Sequence, residues 1–114
     1  MTLHGSCHCG AVTFDFEGAP TKAMTCNCSI CRRNGSVLHF VMPDQFTLTS
    51  GADALTEYEF YRHIVTHSFC RHCGSSVFAR THPPDRPHRV AINLRCTEVD
   101  LAGVELTEFN GAAM

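Results

Sequence analysis

Ala11-Val-Thr-Phe-Asp-Phe-Glu17 alternates apolar and polar residues, placing Val12, Phe14 and Phe16 on one face of an extended segment. A period of two is the signature of a half-buried strand, because successive strand side chains point to opposite faces. Moving outward, similar short runs recur over residues 21–25, 37–41, 46–50, 55–60, 64–69, 76–80 and 89–94. Turn formers separate them: Gly18-Ala-Pro20, Asn34-Gly35, Pro43-Asp44, Ser50-Gly51, Gly74 and His82-Pro-Pro-Asp85. No stretch keeps a helical apolar period for three turns. Single turns are predicted over Ser29–Arg33, with Ser29 as N-cap, and over residues 43–46. The pattern predicts an all-β fold of short antiparallel strands, built as a single domain over residues 1–114.

Composition narrows the function. Charged residues make up 18% of the chain and hydrophobic residues 44%, which suits a packed core rather than disorder. No apolar run is long enough to span a bilayer, and no secretory leader is read at Met1–Gly10, so a cytoplasmic protein is expected. The formal net charge of −2 argues against nucleic acid as a partner. Eight of the nine basic residues are nonetheless Arg, which suits the holding of small carboxylates.

Eight cysteines in 114 residues require a purpose. Seven fall in Cys-x-Cys or Cys-x-x-Cys spacings, which chelate one ion more readily than they form separate disulfides. Cys70-Arg-His-Cys73-Gly74 lies between two predicted strands, with Gly74 free to adopt the positive φ of a knuckle turn. Cys7-His-Cys9-Gly10 is a tighter counterpart. Joining the pairs gives a closed four-thiolate zinc site. Cys26-Asn-Cys28-Ser-Ile-Cys31 offers three thiolates, as a catalytic zinc with an open position would need. Its fourth ligand, if it has one, is sought among Cys96, His67 and His39; a solitary Cys such as Cys96 is commonly a small buried hydrophobe instead. Two zinc ions so bound bring the net charge to about −5.

The succession Gly5-Ser-Cys7-His-Cys9-Gly10, Cys26-Asn-Cys28-Ser-Ile-Cys31-Arg-Arg and His67-Ser-Phe-Cys70-Arg-His-Cys73-Gly74 resembles the glutathione-dependent formaldehyde-activating enzyme family, which includes centromere protein V. That resemblance implies a β-tent fold, a structural zinc on Cys7, Cys9, Cys70 and Cys73, and a catalytic zinc on Cys26, Cys28 and Cys31. It also implies a carbon–sulfur lyase activity that joins glutathione to formaldehyde as S-hydroxymethylglutathione. Asn27 stands where many members carry His, and the segment after Arg32-Arg33 is short, which is nearer the centromere-protein-like branch.

A thiol at an open metal position is ionised near neutral pH and can add to a small carbonyl. His67 is the first candidate for the base that takes its proton, and His39 the second. Arg32 and Arg33 are candidates to hold the carboxylate of an anionic thiol such as glutathione, or else are solvated charges or donors to the zinc thiolates. The His82–His88 loop is expected to border the pocket. A noncatalytic two-zinc module is the alternative to an enzyme, and a methionine sulfoxide reductase B type of chemistry ranks third, since only Cys96 lies outside the clusters. Elemental analysis of protein purified under reducing conditions is expected to give two zinc ions per chain and little iron. One equivalent of zinc, or substantial iron, defeats the two-site reading.

Overall fold

The structure is a computed structural model describing residues 1–113. Besides five single 3-10 turns, ten strands and one short α-helix occur among them. In chain order these are β1 (Thr2–Ser6), β2 (Thr13–Glu17), β3 (Lys22–Cys26), α1 (Cys31–Asn34), β4 (Leu38–Val41), β5 (Phe46–Ser50), β6 (Leu55–Tyr58), β7 (Val65–Cys70), β8 (Ser76–Thr81), β9 (Arg89–Asn93) and β10 (Glu105–Phe109). A three-stranded sheet runs β1-β2-β5. A seven-stranded sheet runs β10-β3-β4-β9-β8-β7-β6. The result is the all-β fold of short, mostly antiparallel strands that the alternating pattern implied.

The two sheets meet through aromatics. Val12, Phe14 and Phe16 are all essentially inaccessible, as the alternation in residues 11–17 required. The Phe14 ring lies 5.6 Å from Phe46 of β5 and 6.1 Å from Phe78 of β8, and Phe46 and Phe78 are 4.7 Å apart. Val41, Val90 and Ile92 complete the layer from the seven-stranded side. Gly5 of β1 lies against the Phe14 ring, where a Cβ would overlap the ring.

Register decides the faces of the larger sheet. Side chains of directly paired residues share a face. His67 pairs with Ala79, Ala79 with Ala91, and Ala91 with Phe40, forming one row across β7, β8, β9 and β4. The neighbouring row is Ser68, Phe78, Ile92 and His39, which turns the other way, into the core. The first row faces away from the three-stranded sheet.

Several elements differ from the sequence expectation. β1 has no clean alternation and was not anticipated; pairing with β2 and room for Gly5 under Phe14 are what make it a strand. β10 is exposed along its length and pairs with β3 in parallel, the one parallel ladder in an otherwise antiparallel pattern. The helical turn begins at Cys31, capped by Ile30 without any side-chain bond. Ser29 is therefore not its N-cap. Ser29 instead offers its carbonyl oxygen to Arg33 Nη1 at 2.7 Å. The strand predicted over 55–60 stops at Tyr58, and Phe60 stacks on the His67 ring at 5.8 Å.

Phe14→Ala empties the centre of this layer and is expected to cost about 3–5 kcal/mol, as for other buried Phe truncations. Phe40→Ala, on a side chain already 36% exposed, is expected to cost much less. Urea midpoints of the two variants test the difference; equal midpoints would show that Phe14 is not the keystone of the sheet contact.

Candidate functional site

Two groups of cysteines converge, each with its sulfur atoms within 4.8 Å of one another: Cys7, Cys9, Cys70 and Cys73 in one, Cys26, Cys28 and Cys31 in the other. Both could hold a metal ion. The first group gathers at sheet corners. Cys7 and Cys9 lie in the turn from β1 to β2, while Cys70 ends β7 and Cys73 lies in the turn to β8. Cys9 Sγ is 3.7 Å from both Cys7 Sγ and Cys70 Sγ. Gly74, with φ at 79°, closes the knuckle in the left-handed region, as the sequence implied. Backbone N–H groups of Val12 and His72 point at Cys7 Sγ and Cys70 Sγ, at 3.3 and 3.4 Å.

These sulfurs disagree about their protons. The Ser75 hydroxyl, with the Ser75 and Cys9 backbone groups, pulls Cys73 down to about 5. The Ala11 N–H favours the Cys9 thiolate, yet burial and the neighbouring sulfurs of Cys70, Cys7 and Cys73 outweigh it and push Cys9 up to about 11. Four thiolates this close repel one another unless a cation lies among them. The donor set fits a divalent, thiophilic ion such as zinc.

The second group is built by β3 and α1. Cys26 is the last residue of β3, Cys28 lies in the following turn, and Cys31 opens the helix. Burial, then the neighbouring Cys28 and Cys26, push the Cys31 thiol far up. For Cys28 burial acts in the same direction, but N–H donors from Cys31 and Ile30 and the sulfurs of Cys31 and Cys26 outweigh it and bring this thiol down. Cys28 drawn towards its thiolate beside a Cys31 that resists is again the pattern a metal would resolve.

The triad opens on a cavity of about 1020 Å³ lying on the outward face of the seven-stranded sheet. Arg32, Arg33 and His67 line it with the three cysteines. Burial lowers the pKa of His67, so its ring is neutral at pH 7. His39 is different. It lies on the core-facing row, 6.1 Å from the Phe16 ring, and does not line the cavity. Register, a tertiary property, turns it away from the cysteines. Cys96 is likewise not gathered with Cys26, Cys28 and Cys31. Its Sγ lies 3.5 Å from the Ser76 carbonyl oxygen and 3.9 Å from Asn93 Nδ2. Burial, then the negative charge of Cys7 and Cys73, push Cys96 up to about 11. It is a part-buried thiol on the side of the first group, and not the fourth ligand of the second.

Sequence reasoning gave Asn27 no structural role and passed over the chain's last described residues. Asn27 Nδ2 donates to Asn110 Oδ1, and Asn27 Oδ1 accepts from the Ala112 N–H, both at 2.9 Å. The Asn27 N–H also donates to the Phe109 carbonyl at 3.2 Å. This clamp presses Gly111 so close that a Cβ there would lie 2.5 Å from Cys26 Sγ. The contact spans more than eighty residues, and no local pattern announces it. The His82–His88 loop does reach the cavity, through Arg86.

Removing one ligand from each group should separate their roles. Cys70→Ala is expected to abolish cooperative folding, because Cys70 is wholly buried where two sheets are joined. Cys28→Ala is expected to remain folded and to lose about one metal equivalent. Circular dichroism melts with metal analysis report both, and equal loss of folding would erase the distinction.

The model of the glutathione-dependent formaldehyde-activating enzyme family matches residues 2–105. The fold is also similar to the crystal structure of a Rhodobacter sphaeroides protein, with 32% sequence identity and a TM-score of 0.79, covering 91% of this chain and 99% of that one. Among the described residues no helix is long and apolar enough to cross a membrane. With the family model matched over most of the chain and both cysteine groups assembled in space, this chain belongs to the glutathione-dependent formaldehyde-activating enzyme family.

Proposed function

We propose that this chain is a cytoplasmic zinc-dependent carbon–sulfur lyase-type enzyme that joins a glutathione-like thiol to a small carbonyl such as formaldehyde. The observation that carries this reading is the opening of the Cys26, Cys28 and Cys31 triad on a cavity shared with Arg32, Arg33 and His67. Residues 1–114 act as one zinc-binding unit. Cys7, Cys9, Cys70 and Cys73 hold a structural zinc. Cys26, Cys28 and Cys31 hold the second, which when bound supplies Lewis acidity that favours the ionised form of a thiol.

The chain's own groups do the rest. Arg32, with no carboxylate partner among the described residues, is free to pair with a carboxylate of the thiol substrate. Arg33 already donates to the Ser29 carbonyl, which holds its guanidinium beside the triad. His67 is neutral and stacked on Phe60, so its ring nitrogen can accept the thiol proton and return it to the oxygen of the adduct. A second reading is a noncatalytic two-zinc module of the centromere protein V type. The Asn27 clamp favours it, since residues 110–112 cover one side of the triad.

Calorimetry on zinc-loaded protein distinguishes the two. Glutathione is expected to bind more tightly than 2-mercaptoethanol, and Arg32→Ala with Arg33→Ala to shrink that gap about tenfold, the value of a lost charge-assisted bond of about 1.5 kcal/mol. Formaldehyde consumption above the uncatalysed rate supports the enzyme; binding without acceleration supports the module.

His67→Gln is expected to slow adduct formation by about 10²-fold, the low end for a general base. Because the folded-state pKa of His67 lies below its ordinary value, the base is present at neutral pH and is lost only as pH falls through that lowered pKa. The wild-type rate should decline on the acid side, and the variant should lack that limb. An unchanged profile in His67→Gln assigns the base elsewhere.

A further inference from the structure

A one-carbon aldehyde needs almost no wall, and glutathione is polar throughout. The cavity fits neither fully. Its volume of about 1020 Å³ is at the top of the range of roughly 300–1,000 Å³ typical of small-molecule sites. Its floor is apolar: Leu38 and Phe40 from β4, Ala91 from β9, Ala79 from β8 and Val65 from β7. Such a floor gives little to a polar tripeptide and much to an apolar ligand.

The charges are arranged at two ends. Arg32 and Arg33 lie with the triad, at the end of the sheet where β9 finishes at Asn93 opposite Leu38. Asn34 Nδ2 bonds Ser76 Oγ there at 3.5 Å, fixing α1 beside the start of β8. Arg62 and Arg86 also line the cavity, but from the β6–β7 and β8–β9 loops. Those loops lie at the opposite end, where Val65 pairs with Thr81 and Thr81 with Arg89. From Arg89 to Asn93 the strand rises about 13 Å. No Asp or Glu is among the described residues lining the cavity. Arg62 lies over the Tyr61 ring at 5.4 Å, which orients its guanidinium, and Tyr61 and His63 on either side hold positive φ of 59° and 55°. Arg86 has one neighbouring carboxylate, the exposed Asp85 at 3.7 Å.

We propose that the carbonyl reactant of this site is an extended aldehyde with an apolar body and a terminal carboxylate, the body on the Leu38, Phe40, Val65 and Ala91 floor and the carboxylate at Arg62 and Arg86. This rests on the thiol-addition reading of the triad and extends it to the far end of the cavity. The thiol sulfur forms a bond to the aldehyde carbon, the carbonyl π pair moves onto oxygen, and that oxygen gains the proton which sulfur gave up. Nothing is oxidised. The adduct carries anionic groups at both ends, matching the two arginine pairs across the apolar floor.

Binding of an unreactive probe tests the ligand class separately from the chemistry. Octanoate, acetate and octanol are titrated into the zinc-loaded full chain by calorimetry. Octanoate is expected to bind at least tenfold tighter than either of the others. Arg62→Ala with Arg86→Ala should weaken octanoate about tenfold, and Phe40→Ser, at a part-exposed side chain, should weaken it several-fold without unfolding the protein. Octanoate no tighter than acetate, or insensitive to the distal arginine pair, overturns the proposal even if formaldehyde and glutathione react. With glutathione present, 8-oxooctanoate is expected to form adduct faster than formaldehyde at equal concentration. Octanoate binding by the distal pair without any adduct from either aldehyde leaves the ligand class standing and removes the thiol-addition reading beneath it.

Discussion

Everything in this structure depends on bringing four sulfurs together against their mutual repulsion. Cys7 and Cys9 come from the turn between β1 and β2 of the three-stranded sheet, Cys70 and Cys73 from the end of β7 and its turn to β8 in the other. Local N–H donors meet Cys7 and Cys70, and the Ser75 hydroxyl meets Cys73. Those bonds orient the sulfurs but do not cancel charge, since Cys73 is drawn towards its thiolate while Cys9 is driven away from it. A divalent ion held among the four sulfurs would remove the conflict and tie folding to metal. In a chain with a core this small, such a tie does work that a larger protein would leave to apolar burial.

The larger sheet serves both the core and the cavity. β9 is buried along four of its five residues because one face packs on the three-stranded sheet and the other floors the cavity. Rows of paired side chains alternate between these tasks, so Ile92 is core while Ala91 is cavity floor. A substitution that slipped this register by one residue would exchange the two faces and destroy both at once. Placing the triad at one end of such a floor gives its sulfurs a rigid strand on one side and a single helical turn on the other.

The clamp at Asn27 adds a distant segment to that end. Its amide has both a donor and an acceptor, and both are used, on Asn110 and on the Ala112 N–H. Only a residue without a Cβ fits between this segment and Cys26, and Gly111 occupies the place. The parallel pairing of β10 with β3 is what carries the segment there, since Phe109 comes level with Cys26. An exposed strand with no buried face is thus given a purpose by its end rather than by its length.

The sequence by itself determined the strands with a buried face and the cysteine pairs and triplet from which the two groups are built. Alternation in Val12, Phe14 and Phe16 and spacings of two and three residues between cysteines are local properties, governed by the geometry of a few consecutive residues. It did not determine β1 or β10, because neither has a period to read and each exists only through its partner strand. Between His67 and His39, both within reach by sequence, only the pairing of β7 with β8, β9 and β4 chooses, putting one ring in the cavity and the other against Phe16. Cys96 was chemically suited to the second group, and only the path of the chain after β9 places its sulfur beside Ser76 instead. Arg62 and Arg86 became two ends of one cavity with Arg32 and Arg33 for the same reason. Which residues share a face and an end is set by register and strand order, and those are decided by contacts between segments far apart in the chain.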